Sequence, residues 1–177
     1  LYPGGHAVHY AVSGWRSFNI VVALDSDGIA ASGWSDAADG STVRQAFLDA
    51  DDVLQDLLTR PAAWMRWRGA DLPGLSLWNK DNIVLTGDAA HATLPYLAQG
   101  AVMALEDAAV LGRETSMHAR PAEAFAAFTQ LRKPRTARLQ LESRKLGAIY
   151  HARGLKSLLR NAALSVLGPD AALNRNR

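Results

Sequence analysis

The sequence contains no cysteine among its 177 residues. This absence excludes disulfides, thiolate nucleophiles and cysteine-ligated metal sites, and it favours a cytoplasmic protein. No apolar run reaches the roughly 18 residues that a membrane-spanning helix needs, so no membrane segment is predicted. The glycines nowhere form a G-x-G-x-x-G turn, the pattern that opens dinucleotide-binding domains. With 49% hydrophobic and 20% charged residues, the sequence predicts an ordinary globular protein without such a turn.

Charge is distributed unevenly along the chain. Residues 1–131 hold 8 Lys or Arg and 15 Asp or Glu, whereas residues 132–177 hold 11 Lys or Arg and 2 Asp or Glu. A basic segment can attract nucleic acid. No aromatic residues are interleaved with these arginines to stack on bases, so we favour a solvated helix face or a surface that packs against acidic segments. The sequence predicts no nucleic-acid partner.

The first half of the chain has strand-like patterns. His6 to Val12 alternates, Ser17 to Leu24 is nearly continuously apolar, and turn-forming residues lie between them, which predicts two paired strands. A helix is predicted from Thr42 to Leu58, with Ser41 or Thr42 as its N-cap. Irregular structure with a short strand is expected around the tryptophans at 64, 67 and 78.

The second half is predicted to be mainly helical. A short buried strand over residues 82–87 is followed by a loop to residue 99 and a helix over residues 100–111. Another helix begins at Pro121, Pro134 is expected to kink or interrupt it, and a last helix over residues 155–167 should stop at Gly168-Pro169. Strands that precede helices in this way predict an α+β class. We divide the chain into residues 1–80 (sheet with helix), 81–115 (strand, loop and helix) and 116–177 (C-terminal helices).

The stretch from Asn82 to Leu111 carries the most chemistry. Gly87 lets the backbone pass close to a ligand, and Asp88 then presents carboxylate oxygens to hydroxyl donors. Gly100 and Ala101 begin a helix whose unpaired N–H groups favour negative charge. This arrangement is suited to holding a polar, partly anionic ring system.

Each of these features also has a structural interpretation. Asp88 could cap the short turn that follows it, and Gly100 could serve close packing. His91 is better explained as a hydrogen-bonding residue than as a metal ligand, because no second ligand stands at a suitable spacing. Glu106 and Asp107 could be a solvated pair on an outer helix face. No metal site is predicted.

In their order and spacing, residues Gly87 to Asp107 resemble the second flavin motif of the single-component flavoprotein aromatic hydroxylases, a family that includes salicylate, 3-hydroxybenzoate and 6-hydroxynicotinate monooxygenases. The resemblance extends from the HAVHYAV strand to the RKPR segment at 132–135. It implies a monooxygenase that uses FAD, NAD(P)H and O2. It also implies that Asp88, next to Gly87, bonds the ribityl chain, that Pro95 runs beside the isoalloxazine ring, and that Gly100 and Ala101 meet its N1–C2=O edge.

The resemblance also implies a substrate site for a small hydroxylated aromatic acid. His6 and Tyr10 lie four apart on a strand and therefore project to one face. In relatives that resemble 3-hydroxybenzoate hydroxylase such a pair faces the substrate ring, so His6 is expected to deprotonate or hydrogen-bond the phenolic hydroxyl and Tyr10 to contact the ring or its carboxylate. An imidazole, with a usual pKa of about 6.5, suits this role. Tyr96 is the third expected substrate contact. The alternative is that His6 and Tyr10 are ordinary edge-strand residues.

The missing G-x-G-x-x-G turn leads us to expect the C-terminal part of a larger hydroxylase, whose dinucleotide-binding half is its partner, with a homodimer possible. The start at Leu1 rather than at a methionine agrees with this. The segment alone is then not expected to hold FAD tightly, because the cofactor would bury unpaired polar groups. Two alternatives stay open, namely a related flavoprotein acting on a polyketide or quinone precursor, and a catalytically silent remnant serving as an assembly module.

Overall fold

The computed structural model describes residues 1–25, 35–72 and 74–174, with side chains through residue 166. It mixes strands and helices, which confirms the α+β class. The elements in chain order are β1 (Gly5–Val12), β2 (Ser17–Leu24), β3 (Ser35–Ala38), α1 (Gly40–Ala46), α2 (Asp52–Thr59), β4 (Trp64–Trp67), β5 (Asn79–Lys80), β6 (Ile83–Val84), α3 (Asp88–His91), a 3-10 turn (Pro95–Leu97), α4 (Gly100–Met117), α5 (Pro121–Tyr150) and α6 (Gly154–Asn174).

Contacts between residues divide the chain into two units, Leu1–Arg68 with the segment from Ala148 onward, and Gly69–Gly147. The division of the chain at residues 80 and 115, which we derived from the sequence, stays a prediction. No helix in the described part of the chain is long and apolar enough to cross a lipid bilayer.

The first unit is built on the β1–β2 hairpin. The two strands pair antiparallel from Gly5 opposite Leu24 to Val12 opposite Ser17, as the alternating pattern predicts. Helices α1 and α2 cover one face of the hairpin, with a core of Val43, Phe47 and Leu58 against its apolar side chains. Strands β3 and β4 form a separate antiparallel pair.

The predicted helix over residues 42–58 is wrong, because the structure has two helices there. Asp39 caps α1 by accepting the Ser41 N–H at 2.9 Å, so neither Ser41 nor Thr42 is the N-cap. Asp51 caps α2 by accepting the Leu54 N–H at 2.9 Å. The apolar spacing continues across the break, but an aspartate that captures a backbone N–H begins a new helix there.

The second unit contains β5, β6, α3, α4 and most of α5. Trp78, Ala90 and Phe128 form its apolar core, and the Trp78 ring lies 5.4 Å from that of His91. The predicted loop from residue 88 to 99 is only partly irregular, since it contains α3 and the 3-10 turn.

Neither Pro134 nor Gly168-Pro169 ends a helix, although the sequence predicted a kink or interruption at the first and a stop at the second. Helix α5 runs without a break through Pro134, and α6 runs through Gly168 and Pro169 to Asn174. A proline removes one backbone hydrogen bond of its helix, and the remaining bonds can carry the helix through it.

Candidate functional site

The turn after β6 is fixed by backbone conformation. Gly87 has φ 56° and ψ −140°, a combination that side-chain-bearing residues avoid. It is also the N-cap of α3, and no side chain caps that end. The interpretation of Asp88 as a helix cap is therefore wrong. Asp88 is exposed, and its carboxylate makes no hydrogen bond with the described residues.

Asp107 holds this turn from helix α4. Its Oδ2 accepts the Gly87 N–H at 2.9 Å and lies 2.6 Å from His91 Nε2. Asp107 and His91 are completely buried, with 0% and 1% of their surface exposed. Burial disfavours the ionised carboxylate, but the hydrogen bonds from Gly87, Arg132 and His91 outweigh it and lower the pKa of Asp107. A buried carboxylate thus fixes the turn that presents Asp88.

Arg132 of α5 completes the network. Its Nε donates to Asp107 Oδ1 at 2.6 Å and its Nη1 to Glu106 Oε2 at 2.7 Å, while Nη2 reaches the Met103 carbonyl at 3.1 Å. Arg135 donates to Glu106 as well, and this bond is the main reason that the pKa of Glu106 falls to about 2. Glu106 and Asp107 are therefore not a solvated pair, and these arginines of the basic segment pack against acidic residues.

Helix α5 also holds the loop after α3 through polar side chains. Gln140 Nε2 donates to the Ala92 carbonyl at 2.8 Å, and Ser143 Oγ donates to the Leu94 carbonyl at 2.6 Å. Both side chains are buried. Such bonds satisfy loop carbonyls that would otherwise be buried without a donor, and they fix the path of the loop.

The predicted loop residues lie on this path. Pro95 is exposed and begins the 3-10 turn. Tyr96 is half-buried with its ring against α5, where a Cβ at position 147 would overlap the ring, so Gly147 is needed for this contact. Ala98 ends the turn in the left-handed conformation, with φ 52°.

The start of α4 is uncapped. Gln99 makes no capping hydrogen bond, and the first backbone bond into the helix is from Met103 N–H to the Gln99 carbonyl, at 2.9 Å. In the described part of the chain, the N–H groups of Gly100 and Ala101 therefore have no acceptor. A Cβ at Gly100 would meet only Thr93, at 3.8 Å, which is an ordinary contact. Internal packing thus does not explain the glycine.

His6 and Tyr10 lie in the first unit, on the face of β1 opposite α1 and α2. The Ala7 side of the strand packs on the helical core, and the Val8 and Tyr10 side chains, which point the other way, are about half exposed. The Tyr10 hydroxyl accepts a hydrogen bond from Asn19 at 2.7 Å. His9 projects away from this face and stacks on Phe18.

His6 is buried, with 8% of its surface exposed. Its Nδ1 lies 2.9 Å from His151 Nε2, and its ring lies 5.2 Å from that of Tyr150 in an edge-on contact. Burial is the main cause that lowers the pKa of His6, and charge on His151 lowers it further. A neutral imidazole is the state in which a histidine can accept a proton.

Sequence reasoning missed the polar residues that hold these elements, namely Asp25, Asp107, Arg132, Gln140, Ser143 and His151. One available signal was the regular spacing of the polar residues 132, 136, 140 and 143, which lie on one stripe of α5 and are all buried. The described residues contain no cluster of three or more side chains placed to bind a metal ion.

Comparison with known proteins decides the family. A family model described as FAD binding domain matches residues 11–142. This chain belongs to the FAD binding domain family. The family match confirms the resemblance to the flavoprotein aromatic hydroxylases that rested on Gly87 to Asp107.

Relatives of this FAD binding domain family member are named as hydroxylases. It is 39% identical over 90% of its length to a 3-hydroxybenzoate 6-hydroxylase of Klebsiella oxytoca, of which it covers 40%. It is 32% identical over 84% of its length to a salicylate hydroxylase of Pseudomonas putida, of which it covers 37%. The chain thus spans about two fifths of the length of these relatives.

Solved structures agree with this fold. A salicylate hydroxylase substrate complex superposes with a TM-score of 0.77 at 25% identity, over 94% of this chain and 44% of that one. Klebsiella pneumoniae HpxO complexed with FAD and uric acid superposes with a TM-score of 0.72 at 25% identity, over 93% of this chain and 41% of that one. The chain has the corresponding part of the FAD-dependent hydroxylase fold.

The residues of the second unit fit a flavin. The Asp88 carboxylate is an unused acceptor for sugar-like hydroxyls. The uncapped start of α4 offers two N–H groups and a positive dipole end, which favour the negative charge of a reduced isoalloxazine. Gly100 leaves the backbone open to close approach.

Proposed function

We propose that this chain supplies the ribityl, isoalloxazine and substrate contacts of an FAD- and NAD(P)H-dependent monooxygenase that hydroxylates a small phenolic acid. The observation that carries this proposal is the pairing of an unused Asp88 carboxylate with an uncapped α4 in one flavin-type motif. The names of the two relatives above favour hydroxybenzoates as substrates.

Each residue has a defined part in the proposal. Asp88 accepts hydrogen bonds from the ribityl hydroxyls, and the Gly87 conformation aims it. Pro95 borders the isoalloxazine ring, and the N–H groups of Gly100 and Ala101 stabilise charge at its pyrimidine edge. When bound, FAD supplies the redox and oxygen chemistry.

The substrate is held and activated by side chains. His6 takes the phenolic proton, which makes the ring electron-rich, and Tyr10 and Tyr96 contact the substrate. NAD(P)H gives two electrons, one oxygen atom of O2 enters the ring and the other leaves as water. The protein orients the reactants and excludes water.

The first experiment measures FAD affinity by flavin fluorescence. The purified chain is titrated beside Asp88→Ala and beside Asp36→Ala, a control at the ion pair of β3 with Arg66 of β4. We expect weak binding by the chain, because the sequence has no G-x-G-x-x-G turn for the pyrophosphate. Asp88→Ala should weaken it further and Asp36→Ala should not. Equal affinity in all three proteins would contradict the role of Asp88.

The second experiment tests the activity. The chain replaces the matching segment of the Klebsiella oxytoca enzyme, and the chimera is assayed for NADH and NADPH oxidation and for product with 3-hydroxybenzoate, salicylate and uric acid. We expect hydroxylation of a phenolic acid. A chimera that binds FAD and oxidises NAD(P)H but hydroxylates only uric acid, or none of the three, would overturn the substrate class.

A further inference from the structure

We infer that Asp25, His151 and His6 form a proton relay that fixes the tautomer of His6 and carries its proton to solvent. This inference rests on the proposed role of His6 as the base. The relay lies entirely within the first unit. Its two imidazoles are in line, with His6 Nδ1 and His151 Nε2 2.9 Å apart, and the Asp25 carboxylate is hydrogen-bonded to His151 Nδ1.

The carboxylate decides which nitrogen carries each proton. An ionised Asp25 can only accept, so His151 must carry its proton on Nδ1. When His151 is neutral, its Nε2 then has a lone pair and accepts the Nδ1–H of His6. A neutral His6 with its proton on Nδ1 carries a lone pair on Nε2. The relay therefore presents Nε2 of His6 in the form that can accept a proton.

Proton transfer along this line is balanced at every atom. When Nε2 of His6 gains the phenolic proton, the Nδ1–H bond of His6 can break as an Nε2–H bond forms on His151. The Nδ1–H of His151 then passes to Asp25, or to water beside it. Both rings end neutral, and one proton has left the buried end of the line.

The difference in burial between its two ends sets the direction in which the relay moves a proton. Both imidazoles are buried, with 8% of the surface of each exposed, whereas the Asp25 side chain is 46% exposed. The buried end is the histidine that the proposed function places at the substrate, and the exposed end is a carboxylate in contact with water. The transfer leaves both rings with Nε2–H, so both must return to Nδ1–H before His6 can accept another phenolic proton.

Backbone hydrogen bonds hold the members in place. Gly4 donates its N–H to the His151 carbonyl at 3.2 Å and accepts the Asp25 N–H at 2.9 Å. Gly4 has φ 81°, and a Cβ there would collide with the Arg153 guanidinium. The end of β2, the segment before β1 and the end of α5 are thus tied at a position that requires glycine.

Other charged and titratable groups face the relay. Tyr150 packs edge-on against His6, and Arg153 lies 3.6 Å from the Asp25 carboxylate. The amine of Leu1 lies near His6, and Arg160 lies near that amine. Arg153 thus places a positive charge beside the Asp25 carboxylate.

Nuclear magnetic resonance of the 177-residue chain tests the relay without flavin or substrate. With 15N-labelled histidine, two-bond 1H–15N correlations report the tautomer of each of the five imidazoles, which single His→Gln variants assign. When both rings are neutral, we expect His6 and His151 to carry Nδ1–H, whereas an unconstrained imidazole in water favours Nε2–H. An Nε2–H tautomer at His6 would overturn the relay.

Three variants separate a relay from a structural contact. Asp25→Ala removes the acceptor and should return both His151 and His6 to the Nε2–H form. Asp25→Asn keeps an acceptor oxygen, so His151 and His6 should retain Nδ1–H. This variant also tests the relay if Asp25→Ala does not fold. Asp36→Ala, at the ion pair between β3 and β4, should change neither ring. A change at His151 alone, with His6 unaltered, would overturn the coupling.

The tautomers measured by nuclear magnetic resonance do not depend on whether the proposed function is correct. The tautomers can be as stated even if the chimera hydroxylates nothing, in which case the relay exists and its use in hydroxylation fails. In an active chimera, Asp25→Ala should alter the pH profile of kcat and leave KM for the phenolic acid little changed. An unchanged pH profile of kcat would show that the relay has no role in hydroxylation.

Discussion

The carboxylate of Asp107 accepts the backbone N–H of Gly87 at 2.9 Å, across 20 positions of the sequence. The same carboxylate meets His91 and Arg132, so the turn after β6 is joined to α4 and α5 at one buried point. The residue proposed to bind the ribityl chain, Asp88, follows Gly87 directly. Its position is therefore set by a residue that we do not propose to touch the cofactor.

We expect Asp107→Asn to destabilise the chain strongly. The substitution leaves the buried Arg132 paired with Glu106 but no longer with Asp107, and breaking a buried ion pair on one side typically costs about 3–5 kcal/mol. Urea denaturation followed by tryptophan fluorescence would measure the loss, since Trp78 packs against His91. Asp56→Asn is the control, because the Asp56–Arg60 pair is exposed and worth at most about 1 kcal/mol.

The double variant Asp107→Asn with Arg132→Met tests the cause. If the cost comes from the ion pair that Arg132 loses with Asp107, removing Arg132 as well should restore part of the stability. A double variant less stable than Asp107→Asn would show that Arg132 contributes mainly through its other bonds, to Glu106 and to the Met103 carbonyl.

The two motif glycines should respond oppositely to alanine. Gly87→Ala forces a Cβ into a conformation with φ 56° and should cost about 1–3 kcal/mol. Gly100→Ala puts a better helix former where a Cβ meets only Thr93, so we expect no loss and a gain of up to about 1 kcal/mol. Chemical denaturation of both variants measures this contrast.

Gly100→Ala should affect FAD affinity and folding stability in opposite directions. In the chimera, Gly100→Ala is expected to weaken FAD binding despite its neutral or favourable effect on folding, because the Cβ would intrude where the ring approaches the backbone. Unchanged affinity in a stable Gly100→Ala chimera would count against the placement of the isoalloxazine at this helix start.

Local patterns in the sequence predicted much of the fold and the motif. The β1–β2 pairing follows from alternation and turn residues, and the Gly87-Asp88 turn and the Gly100 helix start follow from residues close together in the sequence. Such features depend on backbone preferences of neighbouring residues, which a sequence displays directly.

The supporting polar contacts were not predicted, because they join distant positions. Gln140 bonds the Ala92 carbonyl 48 residues away, and His151 meets Asp25 across 126 positions. An amphipathic pattern assigns Gln and Arg to the solvent side of a helix, so buried polar residues that satisfy loop carbonyls are misread. The break between α1 and α2 was missed because aspartate capping interrupted an otherwise continuous apolar spacing.

Asp51→Ala should therefore destabilise the first unit. The aspartate accepts the Leu54 N–H at 2.9 Å, and replacing such a cap by alanine typically costs about 1 kcal/mol. Thr42→Ala, at a position that the sequence favoured as a cap, should change the stability by less than about 0.5 kcal/mol. Thermal unfolding of both variants measures the difference, and a larger loss for Thr42→Ala would contradict the two-helix assignment.

Acid stability should depend on Glu106. Its hydrogen bond with Arg135, aided by Arg132, lowers the pKa from 4.5 to about 2. A carboxylate with a lowered pKa in the folded state stabilises it above the unfolded pKa, and this contribution disappears as the pH falls through the folded value. Glu106→Gln should therefore be less stable than the parent chain at pH values above about 4.5, and the difference should shrink between there and about 2.

Urea denaturation at a series of pH values measures this effect. Glu142→Gln is the matched control, because Glu142 forms an exposed pair with Lys145 on the same helix as Arg132 and Arg135. Its difference from the parent chain should stay small throughout the series. A stability difference for Glu106→Gln that is the same at both ends of the range would mean that the interactions of Glu106 act through packing, since only the ionised carboxylate forms a salt-linked pair that acid can remove.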